Sequence, residues 1–243
     1  MTRKEFVRLN MIGGLGLLCY NFMPQNNRFT VEELTGKSRN NIIGKDFKLQ
    51  KEAYEAFIEM KEKAKEAGIN IKVISSFRDY DHQNRIWTRK YNNYINQGLK
   101  PLEAIYKIVE YSTIPGTSRH HWGTDIDIVD GNKPLPKDPL LAKHFQNKGP
   151  FCELKEWMQK NAHPYGFQLV YTNKPDRKGF KYEPWHFSYA PLSVPMLKEF
   201  CKLDLVTILQ KNNLAGSKHF TSEFIQSYIT NNVLDINPVL VKT

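Results

Sequence analysis

Two short stretches of this chain constrain its structure and chemistry more than any others. The first is SRHHWGTDID at residues 118–127, and the second is EPWH at residues 183–186. Together they contain histidines, aspartates and a glutamate, which are side chains that bind zinc. A catalytic zinc site takes three protein ligands and leaves the fourth position of its tetrahedron to water. The two stretches therefore predict a catalytic zinc centre formed by distant parts of the chain.

His120, Asp127 and His186 are the predicted zinc ligands. Zinc lowers the pKa of a bound water from about 15.7 to roughly 7, which makes hydroxide available at neutral pH. Glu183 lies three residues before His186, close enough to share the site without binding the metal. A carboxylate in that place can take a proton from the water and pass it to the leaving amine. We therefore predict that Glu183 is the general base.

The first stretch also has the alternation of a β-strand. Ile126 and Ile128 alternate with Asp125 and Asp127, which is the two-residue period of a strand whose side chains point to opposite faces. Both aspartates should therefore face the same way, and a second carboxylate should lie near the metal. The alternation alone leaves open which aspartate is the ligand.

The order of these motifs resembles that of the VanY-type D-alanyl-D-alanine carboxypeptidases, which belong to the LAS zinc peptidases. The matching pattern is SxHxxGxxxD at residues 118–127, followed by ExWH at residues 183–186. An earlier stretch, SSFR at residues 75–78 with Gln83 five residues later, is similar to the group's SGYR segment. Three separated motifs in the same order make the resemblance specific.

The resemblance covers roughly residues 49–191 and implies a zinc carboxypeptidase that removes the terminal D-Ala from peptidoglycan stem peptides. It favours Asp127 over Asp125 as the ligand, because the family's aspartate follows its histidine by seven residues. The chain departs from the family pattern at Asp125, where alanine is usual, and at Ser76, where glycine is usual.

The resemblance also implies which residues contact the substrate. Arg78 would lie near the scissile bond, where a guanidinium offers paired donors to a carboxylate or an oxyanion. Gln83 would add an amide contact to the peptide. Ser118 would either hydrogen-bond the terminal carboxylate of the substrate or only fix its own loop, and both readings stay open. Trp122, two residues after His120, is predicted to form the floor of the pocket.

Two alternative functions stay open. The same metal motifs occur in zinc dipeptidases and endopeptidases that cut another bond of the stem peptide, and the sequence shows neither the depth nor the charge of the pocket. The group also contains non-catalytic, zinc-containing binding modules. The presence of both Glu183 and Arg78 argues against such a module.

The composition indicates what kind of partner the chain can have. With 35 Lys and Arg against 25 Asp and Glu, its formal net charge is +10. A basic surface suits peptidoglycan, whose stems carry free carboxylates, or it serves solubility alone. No nucleic-acid-binding motif occurs, so we predict no nucleic-acid partner. The three cysteines include no CxxC pair; we expect Cys152 and Cys201 to be buried thiols, with a disulfide as the alternative.

The two ends of the chain predict its location and its division into domains. Residues 1–24 join a basic start to a short apolar run, which is typical of an export signal and too short for a membrane span. We predict an exported monomer of the periplasm or cell envelope that touches the membrane only through an uncleaved or lipidated leader. Residues 25–48 are predicted as a linker, 49–190 as the zinc peptidase domain and 191–243 as a helical extension.

Mixed helix and strand patterns predict an α+β fold, in which a small, mainly antiparallel sheet is flanked by helices. Strand alternation marks residues 69–74, 123–128 and 167–171, the last paired as a hairpin with a strand through Trp185 and Phe187. Helical spacing marks residues 49–67, 101–111, 151–161, 191–212 and 221–231, and a further helix begins after Asp79 or Asp81. A small sheet that carries the three ligands is also what the resemblance implies.

Overall fold

The structure, a computed structural model, describes residues 28–241. It has the predicted α+β architecture, in which helices flank a four-stranded antiparallel sheet. The predicted export signal at residues 1–24 lies outside the described residues. Within residues 28–241, no helix combines the length and the apolar character needed to cross a membrane.

The helices and strands follow the predicted order, with bounds that differ by a few residues. The strands are β1 (Ile42–Ile43), β2 (Leu49–Gln50), β3 (Ile71–Ser75), β4 (Asp125–Asp130), β5 (Phe167–Leu169) and β6 (His186–Tyr189). The α-helices are α1 (Val31–Leu34), α2 (Lys51–Glu66), α3 (Tyr80–Asn96), α4 (Pro101–Ile108), α5 (Cys152–Asn161), α6 (Ala190–Phe200), α7 (Leu205–Lys211) and α8 (Ser222–Tyr228). A 3-10 turn at Arg119–Trp122 leads into β4.

Strand β4 lies inside the main sheet, whose order is β3-β4-β6-β5 with antiparallel neighbours throughout. All six residues of β4 are buried. Its register places Asp127 opposite His186 and Asp125 opposite Ser188. Because opposite residues of an antiparallel pair project to the same face, these four side chains lie together on one side of the sheet.

Two apolar clusters hold the helices against the sheet. The first packs α2 and α5 on the sheet, and its fully buried members include Phe57, Met60, Ile128 and Met158. The second joins α3 and α4 to the C-terminal helices, and its members include Trp87, Ile105, Phe200 and Ile225. The cleft described below opens between the sheet and α3.

Residues 191–241 are mainly helical, as predicted, although the stretch 191–212 is divided between α6 and α7. The division falls at Asp204, whose side chain accepts a hydrogen bond from the backbone N–H of Thr207 at 3.1 Å and so begins a new helix. Thr221 starts α8 in the same way, through the N–H of Phe224 at 3.2 Å. Polar caps in the sequence therefore decide where these helices begin.

The cysteines differ from the expectation of buried thiols. Cys152 is partly buried and Cys201 is exposed, and both are free. Cys201 lies directly after the last residue of α6, where the chain turns out of the packed helix toward solvent. Its position at a helix end, which the apolar stripe of α6 did not reveal, explains the exposure.

Residues 28–48, predicted as a linker, are ordered and pack against the first motif. Helix α1 begins with a capping box between Thr30 and Glu33, and β1 pairs with β2. The carbonyl of Leu34 accepts a hydrogen bond from Trp122 Nε1 at 3.1 Å. The segment therefore supports, from outside, the turn that leads into β4.

Candidate active site

Three of the predicted site residues converge on one buried point. Donor atoms of His120, Asp127 and His186 all lie within 4.8 Å of one another. His120 Nε2 is 3.3 Å from Asp127 Oδ2, and His186 Nδ1 is 3.6 Å from Asp127 Oδ1. Two ligands of a tetrahedral zinc, each bonded at about 2.0–2.1 Å, are themselves about 3.4 Å apart. The cluster therefore has the spacing of a tetrahedral metal site.

Each imidazole of the cluster is oriented by its other ring nitrogen. His120 Nδ1 lies 2.9 Å from the carbonyl oxygen of Ser76, and His186 Nε2 lies 2.9 Å from Asp125 Oδ2. Both partners are acceptors, so each ring donates there and turns its remaining nitrogen toward Asp127. Metal-binding histidines typically donate their second N–H to a carbonyl or carboxylate in this way.

Asp125 supports His186 and lies outside the group of three donors. Its oxygens also accept hydrogen bonds from Arg119 Nε at 2.9 Å and from the hydroxyls of Thr124 and Ser188 at 2.7 and 2.6 Å. Although burial alone would raise the pKa of Asp125, the Arg119 guanidinium and the His186 imidazole hold it well below its usual range. Asp125 is therefore an ionised carboxylate that accepts a hydrogen bond from Nε2 of His186.

The charges of the cluster favour a bound cation. Asp127 Oδ1 is buried and has no hydrogen-bond partner among the described residues. Burial lowers the pKa of His120, which leaves that ring neutral. Burial also opposes protonation of His186, but the charge of Asp127 and the hydrogen bonds to Asp125 and Glu183 outweigh it and raise the pKa of His186 to about 10. A divalent cation would take the place of that proton and complete the coordination of Asp127.

Glu183 reaches the metal-facing nitrogen of His186 without being one of the three donors. Its Oε2 is 3.0 Å from His186 Nδ1, at the end of a turn in which the His186 N–H donates to the Glu183 carbonyl at 3.1 Å. Burial raises the pKa of the Glu183 carboxyl. A raised pKa makes this carboxylate a better proton acceptor near neutral pH.

Arg78 and Gln83 form a hydrogen-bonded pair at the start of α3. Arg78 donates from Nη1 to Gln83 Oε1 at 2.6 Å and from Nη2 to the Ser75 hydroxyl at 3.1 Å. Gln83 is fully buried, and its amide nitrogen donates to the Thr113 carbonyl at 2.8 Å. Arg78 lines the cleft, whereas Gln83 lies behind it and does not. The side-chain oxygen of Gln83 therefore contacts Arg78, and its side-chain nitrogen contacts the backbone of Thr113.

His121 holds the backbone of Arg78 from the opposite side. Its Nδ1 donates to the Arg78 carbonyl at 2.5 Å, and its Nε2 accepts from the N–H of Gly116 at 3.1 Å. Burial lowers the pKa of His121 to about 3, so the neutral ring can make both contacts. Gly36 packs against this ring so closely that an added Cβ would lie 2.4 Å from His121 Nδ1. His121 thus links the N-terminal segment, which it contacts at Gly36, to the backbone of Arg78.

The metal cluster, Arg78, Ser118 and Glu183 all line one cleft of about 730 Å³. Tyr171 and Trp185 add aromatic walls. A loop at residues 138–141 also lines it. No role was predicted for this loop, because a proline-rich segment has no periodicity that indicates where it lies.

Trp122 does not line the cleft, and the prediction that it forms the pocket floor is wrong. Its ring packs against Phe200 with centroids 5.8 Å apart, inside the second apolar cluster. The cause is the 3-10 turn, which places neighbouring side chains on different sides of the chain.

The loop that carries Glu183 is fastened to the C-terminal extension. The carboxylate of Asp235 accepts hydrogen bonds from the backbone N–H groups of Lys178 and Gly179 at 2.7 and 2.9 Å. Arg177 donates to the Asp235 carbonyl at 2.7 Å and to two carbonyls of its own loop. The extension therefore fixes the part of the loop that precedes Glu183 in the chain.

Tyr228 of α8 makes a second connection, to the loop of the first motif. Its hydroxyl accepts from the N–H of Ile114 at 3.1 Å and lies 2.8 Å from Thr117 Oγ1, next to Ser118 in the chain. These contacts join residues more than 100 positions apart, and no local pattern indicates them.

Comparisons with known proteins agree with this geometry. A profile of the VanY family, described as D-alanyl-D-alanine carboxypeptidase, matches residues 46–192. An uncharacterised Haemophilus influenzae protein is 32% identical over 118 residues, which are 47% of this chain and 89% of that protein. The bifunctional D-Ala-D-Ala dipeptidase and carboxypeptidase VanXYC of Enterococcus gallinarum is 30% identical over 124 residues, or 51% of this chain and 57% of that protein.

A solved structure shows the same fold. The structure of VanYB in complex with D-alanine-D-alanine matches with a TM-score of 0.51 and 20% identity, and the match covers 71% of this chain and 89% of that one. The chain spans little more than half the length of VanXYC.

Proposed function

Because the chain belongs to the VanY D-alanyl-D-alanine carboxypeptidase family, we propose that it hydrolyses the terminal D-Ala from peptidoglycan stem peptides. Membership confirms the predicted family and its class, the zinc metallopeptidases. The observation that carries the proposal is the convergence of three buried donor atoms, a carboxylate of raised pKa and a guanidinium on one cleft.

The donor set supports zinc as the metal. His120 Nε2, an oxygen of Asp127 and His186 Nδ1 would hold it, and Asp125 and the Ser76 carbonyl would keep the two rings in place. A mixed nitrogen and oxygen set suits zinc, whereas magnesium and calcium take oxygen ligands. Zinc bound there would polarise the scissile carbonyl and lower the pKa of a water molecule.

Glu183 would move the proton during hydrolysis. Its carboxylate takes a proton from the attacking water as the carbon–oxygen bond forms. It then gives that proton to the amide nitrogen as the carbon–nitrogen bond breaks and D-Ala leaves as the amine. The turn that joins Glu183 to His186 keeps this carboxylate beside the three donors, and burial raises its pKa.

Arg78 would bind the oxyanion of the tetrahedral intermediate. The loss of one such donor typically costs about 10² to 10³ in rate. Gln83 and His121 would act as positioning residues, because they hold the Arg78 guanidinium and its backbone, respectively. Ser118 lines the cleft, and we assign its hydroxyl to the terminal carboxylate of the substrate.

The test is Glu183→Gln, assayed for D-Ala release from a D-Ala-D-Ala-terminated stem pentapeptide. We expect the variant to retain zinc, measured by mass spectrometry of the metal, and to lose turnover by at least about 10², the lower range for a missing proton-transfer group. The matched control is Glu59→Gln, which changes an exposed glutamate of α2 in the same way. Wild-type rates in Glu183→Gln would refute the assigned base.

A dipeptidase or endopeptidase is the second candidate, because VanXYC combines dipeptidase and carboxypeptidase activities in one protein. Mass spectrometry of digested muropeptides separates the candidates by the fragment released. Release of single D-Ala supports the carboxypeptidase, whereas release of D-Ala from the free dipeptide, or of longer fragments, supports the alternative. A non-catalytic module would release nothing.

The substrate also determines where the protein would work. We propose an exported, monomeric enzyme of the periplasm or cell envelope, since peptidoglycan lies outside the cytoplasm. Cell fractionation and size-exclusion chromatography with light scattering test the two statements. Recovery in the cytoplasmic fraction, or elution as a dimer, would count against them.

A further inference from the structure

One wall of the cleft carries positive charge that the proposed mechanism does not use. His82, Ile86, Arg89 and Lys90 of α3 line the cleft, at a spacing that places them on one face of the helix. Arg89 is exposed and Lys90 is partly buried. The two neighbouring cations therefore face the space in which a substrate would lie.

Within residues 28–241, neither Arg89 nor Lys90 forms an ion pair. The one polar contact of the Lys90 ammonium there is with the Ser112 hydroxyl, at 2.6 Å, which leaves two of its three N–H donors available. Asp138 lines the same cleft and pairs with neither cation. Burial lowers the pKa of Lys90, and the charges of Arg78 and Arg89 act in the same direction. An unpaired ammonium in this setting favours an incoming anion.

The position along α3 indicates which anion. The helix rises about 1.5 Å per residue, so Lys90 begins about 15 Å along the axis from Tyr80, where the helix leaves Arg78. A lysine side chain on a helix leans toward the N-terminus and shortens that distance. The terminal carboxylate of a cleaved D-Ala lies only one residue, about 3.8 Å, from the scissile bond. Because Lys90 lies farther than this from the scissile bond, it fits a carboxylate on a residue that precedes the scissile bond in the peptide.

We propose that Lys90 and Arg89, with the Ser112 hydroxyl, form an anion subsite that binds a carboxylate of the stem peptide. The reach of the helix assigns that carboxylate to the side chain of the stem's diamino acid, which carries one when it is diaminopimelate and none when it is lysine. The inference rests on the proposed function for its substrate, and it adds a preference between two chemical types of cell wall.

The test measures binding separately from turnover. Three D-Ala-D-Ala-terminated pentapeptides, containing diaminopimelate, its side-chain amide or lysine, are titrated by calorimetry into Glu183→Gln, which we expect to cleave them at least about 10²-fold more slowly than the wild type. One charge-assisted hydrogen bond is worth about 1.5–3 kcal/mol, which is roughly 10- to 150-fold in affinity. We expect the diaminopimelate peptide to bind at least about tenfold more tightly than the other two.

The double variant Glu183→Gln with Lys90→Met should lose that preference, and Lys90→Arg should keep most of it. Arg89→Gln, at an exposed position, gives the same test if Lys90→Met does not fold. Arg85→Met is the matched control, because Arg85 lies on α3 outside the cleft lining. An equal loss of affinity for all three peptides would assign the subsite to the terminal carboxylate instead.

Unchanged affinity for all three peptides in both Lys90→Met and Arg89→Gln would overturn the subsite. That result is distinct from failure of the proposed function, which would show as absent D-Ala release by the wild type. If binding depends on Lys90 but the wild type hydrolyses none of the peptides, the result supports the subsite and contradicts the proposed activity.

Discussion

Replacing Asp125 by asparagine should damage both the fold and the metal site. The carboxylate accepts four hydrogen bonds, two of them from the cationic Arg119 and from His186. An asparagine has one acceptor oxygen and no charge, so the buried Arg119 loses its ion-pair partner. Removing one partner of a buried pair costs about 3–5 kcal/mol. In a chain of this size each kcal/mol lowers Tm by about 2–4 °C, which predicts a loss of roughly 6–20 °C.

Asp125→Asn should also weaken zinc binding by about 10- to 100-fold, since the second ring nitrogen of His186 loses its carboxylate. Thermal unfolding followed by circular dichroism gives the first quantity, and competition with a chromophoric chelator gives the second. Asp130→Asn is the matched control, because Asp130 is equally buried on β4 but accepts only from two backbone N–H groups. Equal melting temperatures and equal zinc affinities in the two variants would contradict the supporting role of Asp125.

Three further predictions concern the supports of the site. Gly36 and Gly68 both have a left-handed φ, of 77° and 80°, so replacing either by alanine costs about 1–2 kcal/mol. Only at Gly36 would the added methyl meet the ring of His121, so Gly36→Ala should melt at a lower temperature than Gly68→Ala and release D-Ala more slowly. Equal melting temperatures of the two variants would contradict this contact. Asp235→Ala should lower kcat with zinc content unchanged, because the loop before Glu183 loses its hydrogen bonds to Asp235. Asp235→Asn should keep a higher kcat, because its amide oxygen can still accept those hydrogen bonds. Equal rates in the two variants would exclude this role of Asp235. A chelator should lower Tm and added zinc should restore it, by about 4 kcal/mol of stability at a thousandfold excess over Kd, and magnesium should not; an unchanged Tm would argue against a metal that stabilises the fold.

Local signals in the sequence predicted much of the fold. The alternation in β4 and the cap at Asp79 each depend on neighbouring residues, and both occur in the structure. The α+β prediction is confirmed. The residues predicted as ligands meet, because the register of β4 and β6 places Asp127 opposite His186.

The parts of the site that the sequence did not predict depend on contacts between distant residues. Alternation showed that Asp125 shares a face with Asp127, but only the position of Arg119 shows that Asp125 supports a ring and does not join the donor group. Gln83 was predicted to touch the peptide, but its depth behind Arg78 depends on how α3 packs, which helical spacing alone does not determine.

The apolar cluster shared by α3, α4 and the last three helices extends across residue 192, where the match to the family ends. A chain shortened there would expose buried aromatic rings of the second cluster and would lose both fastenings of the catalytic loops at once. Transplanting this active site into another scaffold would therefore require the C-terminal extension as well as the motifs. Substitutions in the extension would change turnover.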